Sequence, residues 1–177
     1  MSEIYLIALG SNMRVPGIGS PRRVLAVALR ALEAEGVSVL AAAPFIDSAP
    51  LGPSLRRYAN GAACVETQLA PPELLVVLQK LERRFGRGRS QRRGQRWRAR
   101  ALDLDIILWS GGVWISPSLR IPHREMRARD FVLRPAAAIA RTWRDPVTGL
   151  SLGALSARLM KPTRPEDTKK ALNRTRG

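Results

Sequence analysis

The sequence predicts a single α+β domain, a ferredoxin-like βαββαβ plait whose antiparallel sheet carries its helices on one face and is followed by a C-terminal helical extension. Three observations predict this fold. Strand-like apolar runs and helix-like segments alternate in the order β-α-β-β-α-β, which is the order of the split βαβ plait. The 177 residues suffice for one buried core and are too few for two ordinary domains. Apolar residues form 45% of the chain and charged residues 25%, which is a globular composition.

The first strand and the first helix are indicated by simple patterns. Residues 4–9 are almost entirely apolar and predict a short buried strand, which ends at the turn-forming residues 10–12. Ser20 followed by Pro21 predicts a helix start, since serine caps helices and proline suits the first helical position. Apolar residues at helical spacing follow, and Gly36 predicts the end of the helix.

The next elements are a pair of strands and a second helix. Residues 37–45 and 61–67 predict two strands that pair antiparallel, joined by the turn-rich loop 47–60. Leucines at helical spacing predict the second helix over residues 71–86, which starts at two prolines and stops at a glycine.

The second half of the chain predicts shorter elements. Residues 101–109 predict a strand, and the glycine turn 111–112 leads to a short strand at 113–115. Short helical pieces are predicted at residues 136–140 and 152–160. These two pieces form the C-terminal extension of the plait.

The chain is strongly basic, with 30 Lys and Arg against 14 Asp and Glu and a formal net charge of +16. Such an excess favours polyanionic partners, which include nucleic acid, acidic membrane surfaces and phosphorylated small molecules. Residues 83–100 carry many arginines and no acid. Residues 161–177 are basic and lack an apolar pattern. The sequence therefore predicts one domain over residues 1–160 and a basic, mobile tail over residues 161–177.

The surroundings of the protein are predicted from three features. No apolar run is long enough to cross a bilayer, which predicts that the protein has no membrane partner. The N-terminal residues lack a basic leader followed by a cleavage site, and the single Cys64 cannot form an internal disulfide. These features predict a cytoplasmic protein.

The predicted strand 101–109 contains two acids, Asp103 and Asp105, in an otherwise apolar run. Side chains alternate across a strand, so both carboxylates project from one face. The apolar residues of the strand are predicted on the other face: Leu102, Leu104, Ile106 and Leu108. Two like charges this close need a cation or guanidinium groups. The pair is either a salt-bridged surface pair or a Mg²⁺ site that water and substrate phosphates complete.

Two interpretations are also possible for the residues of segment 83–100 and for the single histidine. The arginines form either a solvated run or a loop that closes over a triphosphate. Trp97 is either a stacking lid for a flat heterocycle or an anchor of its loop. His123 is either structural or a phosphate or nucleotide contact. The sequence contains no Walker-type or kinase-type glycine loop, so a nucleotide would be held in another way.

Taken together, the motifs resemble one family, the 6-hydroxymethyl-7,8-dihydropterin pyrophosphokinases, over residues 4–159. The blocks that carry the resemblance follow in family order: ALGSN at 8–12, SAPLG at 48–52, YAN at 58–60, LERRFGR at 81–87, RWRARALDLDI at 96–106 and IPHREMRARDFVLRP at 121–135. The resemblance implies an ATP-dependent diphosphotransferase of folate biosynthesis. This enzyme transfers the pyrophosphoryl group of ATP to the hydroxymethyl oxygen of 6-hydroxymethyl-7,8-dihydropterin and releases AMP.

The resemblance also implies a set of functional residues and a monomeric enzyme. Two Mg²⁺ ions are expected on Asp103 and Asp105, which form the catalytic set with Arg87 and Arg100. The positions expected to contact ATP are Gln79, Glu82, Arg87, Trp97, Arg100, Ile106, His123 and Arg129. The positions expected to contact the pterin are Ser48, Pro50, Leu51, Tyr58, Asn60, Trp97 and Phe131. No general base is singled out.

One departure and one alternative accompany this reading. The family commonly has Trp-Gly-Pro-Arg where this chain has Trp97-Arg98-Ala99-Arg100, so two residues that shape the backbone are lost. The alternative is a plait-fold RNA-binding module, which the high positive charge favours. The aromatic RNA-binding pattern is absent and the two central acids would repel phosphate, so no specific nucleic-acid partner is predicted.

Overall fold

The computed structural model of the protein describes residues 2–49, 57–87 and 100–161. The strands within these ranges are β1 (Glu3–Ser11), β2 (Ser38–Ala42), β3 (Ile46–Ser48), β4 (Tyr58–Thr67), β5 (Asp103–Trp109), β6 (Trp114–Ile115) and β7 (Arg120–Ile121). The α-helices are α1 (Pro21–Ala34), α2 (Pro71–Glu82), α3 (Asp130–Ile139) and α4 (Leu152–Met160). The predicted tail lies outside the described residues from 162 onward.

The main sheet is antiparallel and has the strand order β2-β4-β1-β5. Strand β3 also pairs with β4, beyond the end of β2, and β6 and β7 form a separate two-stranded ribbon. The predicted α+β class with an antiparallel sheet is therefore confirmed. Strand β1 lies in the middle of the sheet, and β5 forms one edge.

Both faces of the sheet are covered by helices. Ile7 of β1 belongs to a buried cluster with Leu25 of α1 and Leu78 of α2. Leu6, the neighbour of Ile7, belongs to a second buried cluster with Leu133 of α3 and further residues of α4. Successive strand residues point to opposite faces, so an apolar central strand requires cover on both sides. The sequence predicted helices on one face, and the C-terminal extension provides the cover of the other.

Helix α1 begins and ends where the sequence predicts. Pro21 is its first residue and Ser20 its N-cap, although the serine hydroxyl makes no capping hydrogen bond. Gly36 follows the helix with a φ of 77°, which only glycine adopts without strain. The N–H of Gly36 donates to the carbonyl of Glu33 at 3.1 Å, which satisfies one of the free carbonyls at the helix end.

The predicted strand 37–45 is shorter in the structure, where β2 ends at Ala42. A further strand, β3, follows at residues 46–48 and lies mostly within the segment predicted as a loop. Pro44 lies between them, and a proline has no N–H to donate to a strand ladder. The partner strand β4 correspondingly begins at Tyr58 rather than at residue 61, which gives β3 its pairing partner.

The predicted helical piece 136–140 is the end of a longer helix, α3, which begins at Asp130. Pro135 lies inside the helix and removes one backbone hydrogen bond. The helix persists through it because its buried side, which includes Leu133 and Ala136, packs on the sheet. The predicted helix over residues 152–160 is confirmed as α4.

A bulge in β5 changes the predicted orientation of one residue. Leu6 pairs with Leu108 while Ile7 pairs with Ile106, so Ile107 is an extra residue in β5. A bulge interrupts the alternation of side chains. Leu108 therefore lies on the face covered by α3 and α4, and its predicted place beside Ile106 was wrong. The bulge lies after the acids, which keep the orientation that the alternation predicts.

Asp145 is the centre of a buried polar network between α3 and α4. Its carboxylate accepts hydrogen bonds from Arg127 Nε at 2.7 Å and Nη2 at 2.8 Å, and from Thr148 Oγ1 at 2.6 Å. Its side chain is 0% exposed. Burial acts to raise the pKa of Asp145, but the hydrogen bonds from Arg127 and Thr148 outweigh it and hold the pKa below its usual value.

We expect Asp145→Ala to lower the free energy of unfolding by about 2 kcal/mol, because Thr148 and Arg127, whose side chain is 32% exposed, lose their hydrogen bonds to a buried carboxylate. Asp47→Ala is the matched control. Asp47 binds Arg22 through the same two-pronged contact, but the side chains are 51% and 44% exposed. An exposed pair of this kind contributes little to stability. Equal losses for the two variants in urea unfolding would contradict the buried network.

The pH dependence of this difference is also expected. The folded-state pKa of Asp145 is depressed, so its stabilisation is fully present above the unfolded-state pKa of about 3.9. It is lost as the pH falls through the lower folded-state pKa. The stability difference between wild type and Asp145→Ala should therefore be constant near neutral pH and shrink below about pH 4. Urea unfolding at pH 7, 5 and 3 measures it.

Candidate active site

The two central acids lie on the edge strand β5, on the same face of the sheet. Asp103 is opposite Gly10 of β1, and Asp105 is opposite Ala8. The alternating residue Leu104 packs in the cluster of α1 and α2. Both carboxylates consequently project from the other face, as the sequence predicts.

An open, mostly polar cavity of about 460 Å³ lies over these acids. Six of the predicted site residues line it: Arg100, Asp103, Asp105, Ile106, His123 and Arg129. Residues 116–120, in and between β6 and β7, also line the cavity, as does Leu75 of α2. The volume lies within the range of small-molecule sites. The fold thus brings the predicted metal positions and much of the predicted nucleotide set into one cavity.

The charges in the cavity are of both signs. The guanidinium of Arg100 donates from Nη1 to Oδ2 of Asp103. Burial, together with the carboxylate of Asp103, raises the pKa of Asp105, while His123, Arg100 and Arg129 act against this rise. Two neighbouring carboxylates with restricted access to water favour a bound cation. The arrangement is therefore suited to a divalent ion and to phosphate groups.

His123 is held by two backbone contacts. Its N–H donates to the carbonyl of Ile107 at 3.0 Å, which ties the residue to the outer edge of β5. Its ring nitrogen Nδ1 accepts a hydrogen bond from the N–H of Glu125 at 3.3 Å. Because Nδ1 accepts this hydrogen bond, Nε2 is the ring nitrogen that can bind a ligand in the cavity.

Arg129 and Phe131 lie where the cavity approaches α3. The guanidinium carbon of Arg129 is 5.9 Å from the centre of the Phe131 ring, within the range of a cation–π contact. Arg129 also lies 3.9 Å from the carboxylate of Glu125. Phe131 is partly buried against the cluster of α3 and α4. A predicted nucleotide residue and a predicted pterin residue therefore lie side by side.

Three predicted pterin residues lie together on β3 and β4. Asn60 is opposite Gly10 of β1 and is only 5% exposed. Its Nδ2 donates to Oγ of Ser48 at 2.8 Å, and Ser48 pairs with Tyr58 across the two strands. Burial raises the pKa of Tyr58, and the charge of Arg100 opposes this rise. Tyr58 therefore lies close enough to Arg100, a residue of the acidic cavity, for the charge of Arg100 to act on it.

The end of β1 holds the chain at the start of the strand that carries the acids. Oγ of Ser11 donates to the carbonyl of Ala101 at 2.6 Å. Oδ1 of Asn12 accepts from the N–H of Arg100 at 2.6 Å, and the N–H of Asn12 donates to the carbonyl of Arg100 at 3.0 Å. The sequence predicted only a turn here, although both residues stand in the ALGSN block. These bonds fix the backbone from which the Arg100 side chain extends.

We expect Asn12→Ala to lower kcat by about 10-fold to 100-fold, because small displacements of a positioned group have effects of this size. The variant should also lose about 1–3 kcal/mol of stability, since the N–H of Arg100 loses its acceptor. Thr67→Ala is the control, because Thr67 is buried and hydrogen-bonded at the far end of β4. Steady-state kinetics and urea unfolding of both variants measure this. Equal kcat values for the two variants would show that Asn12 has no positioning role.

Two of the predicted ATP positions do not line the cavity. Gln79 is exposed on α2. Glu82 is 2% exposed, and its Oε1 accepts a hydrogen bond from the N–H of Leu104 at 3.0 Å. The carboxylate of Glu82 therefore covers the outer backbone edge of β5. A nucleotide contact of either residue stays a prediction.

Several predicted residues fall in the parts of the chain that the structure does not describe. Pro50 and Leu51 lie outside the described residues, as do Trp97 and the departure at positions 98 and 99. The backbone of Arg87 closes the turn Arg83–Arg87 after α2, but its side chain lies outside the description.

The cavity also contains residues that the sequence did not single out: Leu75, Ser116, Pro117, Ser118, Leu119, Arg120, Arg124 and Glu125. Arg124 and Glu125 follow His123 directly, so their place in a quoted block was an available signal. The residues around Ser116 and Ser118 gave no such signal, because the ribbon of β6 and β7 reaches the cavity only through the fold.

Paired carboxylates beside guanidinium groups, in an open cavity at the edge of an antiparallel sheet, define the class of phosphoryl-transfer enzymes. The model of the family described as 7,8-dihydro-6-hydroxymethylpterin-pyrophosphokinase (HPPK) matches residues 6–141. The chain belongs to this family.

Curated relatives agree with this assignment. The chain is 41% identical over 148 residues to the 2-amino-4-hydroxy-6-hydroxymethyldihydropteridine pyrophosphokinase of Pseudomonas aeruginosa, with 82% of this chain and 86% of the relative covered. It is 38% identical to the Haemophilus influenzae protein of the same name, with 76% and 79% covered. It is 39% identical to the Synechocystis protein of that name, with 66% and 58% covered.

The resemblance inferred from the motifs is therefore confirmed, together with the activity it implied. The protein is a diphosphotransferase that carries out pyrophosphoryl transfer in folate biosynthesis. The RNA-binding alternative finds no support in these matches. Among the described residues, no helix combines the length and apolarity that a bilayer crossing requires.

Proposed function

We propose that the donor is ATP and that the cavity over Asp103 and Asp105 holds its triphosphate. The observation that carries this proposal is the convergence of these acids with Arg100, His123 and Arg129 in one cavity. Two guanidinium groups and an imidazole suit an anionic phosphate chain, since all three can donate hydrogen bonds to phosphate oxygens. The neighbouring group of Asn60 and Ser48 would then hold the pterin acceptor.

The donor set fits Mg²⁺, and we assign two ions to Asp103 and Asp105. The raised pKa of Asp105 reflects burial and the repulsion between the two carboxylates, which a bound cation would relieve. Within the described residues, no group of three or more His, Cys, Asp or Glu side chains converges as a complete metal site. This agrees with Mg²⁺, which commonly takes one or two carboxylates and completes its shell with water and substrate phosphates. Bound there, the ions would neutralise charge on the phosphate oxygens.

On the nucleotide side, Arg100 and Arg129 would bind phosphate oxygens from two directions. His123 would donate from Nε2, since Nδ1 accepts the N–H of Glu125. Ile106 would contact the nucleotide through its backbone, since its side chain is buried in the cluster of α1 and α2. The remaining members of the proposed ATP set are Gln79, Glu82, Arg87 and Trp97.

On the acceptor side, the carboxamide of Asn60 would read the edge of the pterin ring with a donor and an acceptor. Tyr58 and Phe131 would pack on the faces of the flat ring, since aromatic side chains stack well on heterocycles. Ser48 orients the carboxamide through its hydrogen bond to Asn60. The other members of the proposed pterin set are Pro50, Leu51 and Trp97.

The proposed reaction is an in-line displacement. The hydroxymethyl oxygen of the pterin loses its proton to solvent and forms a bond to the β-phosphorus of ATP, and the bond from that phosphorus to the bridging oxygen on the α side breaks. AMP leaves with the bridging oxygen. Arg87 and Arg100 would stabilise the charge that develops on the phosphate oxygens, and positioning would supply much of the remaining acceleration.

The finer description of the fold and its context belongs to the same proposal. The order β2-β4-β1-β5, with α1 and α2 on one face, supports a ferredoxin-like plait over the proposed domain 1–160. A monomeric state, a cytoplasmic location and the lack of a specific nucleic-acid partner stay predictions of the sequence.

Phosphorus NMR of the purified protein with ATP, Mg²⁺ and 6-hydroxymethyl-7,8-dihydropterin tests the proposal. We expect AMP and a pterin diphosphate, formed only when the pterin and the metal are both present. Formation of ADP would instead indicate transfer of a single phosphoryl group. AMP and free pyrophosphate without pterin would show hydrolysis, and either result would overturn the proposed reaction.

A further inference from the structure

Gly10 occupies a singular position in the sheet, between the two halves of the proposed site. On one side it pairs with Asn60 of β4, and on the other it pairs with Asp103 of β5. Directly opposed residues of antiparallel strands project from the same face. Asn60 and Asp103 therefore stand on the two sides of a position that has no side chain.

Within the described ranges, neither the backbone nor the packing requires glycine at position 10. Gly10 is not among the described glycines with positive φ. A Cβ placed on it would lie 3.7 Å from Oδ1 of Asn60 and 3.8 Å from Cβ of Asp103, which are ordinary contact distances. An alanine would therefore fit against the protein. It would also fill the space between the two neighbouring side chains.

Gly61, on the adjacent strand, offers a contrast. A Cβ on Gly61 would lie 2.8 Å from the ring of Phe45, so packing explains the glycine there. Gly61 pairs with Leu9, and Leu9 and Phe45 both belong to the cluster under α1 and α2, on the opposite face of the sheet. The space over Gly10 has no such explanation within the described protein and faces the candidate active site.

We propose that Gly10 is a specificity-determining residue whose missing side chain leaves the passage through which the hydroxymethyl arm of the pterin reaches the phosphate held near Asp103. This inference rests on the proposed function. The pterin ring lies on the Asn60 side, the phosphate chain lies on the Asp103 side, and the arm crosses above Gly10. A methyl group at this position leaves both substrate subsites intact but prevents the hydroxymethyl arm from approaching the phosphate.

The distance requirement of the reaction gives the expected size of the effect. Reacting atoms must approach to about 3–3.5 Å, and a displacement of about 1 Å can lower the rate by about 100-fold. We expect Gly10→Ala to lower kcat/KM for pyrophosphoryl transfer by about 100-fold. Gly10→Ser, with one more atom, should lower it further.

Binding and stability should respond differently from turnover. The affinity of Gly10→Ala for ATP with Mg²⁺, measured by calorimetry, should stay within about 2-fold of wild type, since the effect acts on approach rather than on binding. Dihydropterin without a substituent at position 6 should bind wild type and variant equally, whereas the 6-hydroxymethyl compound should bind the variant more weakly. The unfolding midpoint should not fall, because Gly→Ala at a compatible position restricts the unfolded chain.

Gly61→Ala is the matched control, since it adds the same methyl group one residue from Asn60 but against Phe45 on the other face. It should lower the unfolding midpoint, while turnover per folded molecule falls far less than in Gly10→Ala.

Wild-type turnover in Gly10→Ala would overturn the inference and leave the proposed function intact. A parallel loss of stability or of ATP affinity in Gly10→Ala would overturn it too, because Gly10 would then be structural. Absence of AMP and pterin diphosphate with wild type would instead overturn the proposed function.

Discussion

Asp105→Ala is expected to lower kcat by about 1,000-fold or more, since a metal-held charge contributes several kcal/mol to the transition state. The carboxylate lines the cavity beside Asp103, and both are needed in the proposed metal site. The fold should survive the change. Burial and repulsion by Asp103 raise the pKa of Asp105, so its charged form is unfavourable in the folded protein without a cation. Kinetics under saturating substrates and urea unfolding measure the two effects.

A control acid and a metal measurement sharpen this prediction. Glu66→Ala removes a partly exposed carboxylate at the far end of β4, where it accepts a hydrogen bond from Ser2, and should leave turnover unchanged. Mn²⁺ binding to the protein with ATP, followed by electron paramagnetic resonance, should weaken in Asp105→Ala and not in the control. Near-normal turnover in Asp105→Ala would refute the metal assignment.

Arg100→Ala is expected to lower kcat by about 100-fold to 1,000-fold, the usual effect of removing one charge-stabilising group from a transition state. Its backbone is held by Asn12 and its guanidinium contacts Asp103, so the group is positioned before substrate binds. Affinity for the pterin should change little. Arg100→Lys should recover part of the rate, because lysine restores the charge but not the planar fork.

The control for Arg100 is Arg22→Ala. Arg22 also pairs with an aspartate, Asp47, but this pair joins α1 to β3 and does not line the cavity. Rapid-quench kinetics separates the chemical step from substrate binding and product release. An effect of Arg100→Ala confined to pterin affinity would contradict its proposed role in stabilising charge.

The bonds of Ser11 and Asn12 also bear on the departure from the family pattern. Positions 98 and 99 carry Arg and Ala and lie outside the described residues. Directly after them, hydrogen bonds from Ser11 and Asn12 hold the backbone of Arg100 and Ala101. The side chain of Arg100 therefore starts from a defined backbone whatever the path of the preceding segment.

The elements that the sequence predicted well are those with local signals. Pro21 and Gly36 mark the ends of α1, and leucine spacing marks α2, although α2 ends at Glu82 rather than at the predicted residue 86 and is followed by the turn Arg83–Arg87. Strand β3 and the bulge at Ile107 carried no such signal. Strand β3 is too short for a periodic pattern, and the bulge depends on how β5 registers against β1.

In the candidate site, too, residues with local sequence signals were predicted, and residues placed by tertiary contacts were not. Asp103 and Asp105 could be assigned to one face because strand alternation is a local rule, and the quoted motifs indicated His123 and Arg129. The wall around Ser116 could not be predicted, since the ribbon of β6 and β7 has no sequence pattern that orients it toward β5. Glu82 was predicted to contact ATP, yet its carboxylate caps the N–H of Leu104, a contact that depends on packing of α2 against β5.

By itself, the sequence determined the chemistry of this protein: the acid pair, the arginines, the motif blocks that identify the family, and most of the order of elements. Only the tertiary structure decided which of these groups meet. It put Gly10 between Asn60 and Asp103, and it brought Asn12 to the backbone of Arg100. The physical reason is that residue types and local periodicity are written along the chain. Strand register and side-chain contacts arise when segments distant in the chain bury their apolar faces together.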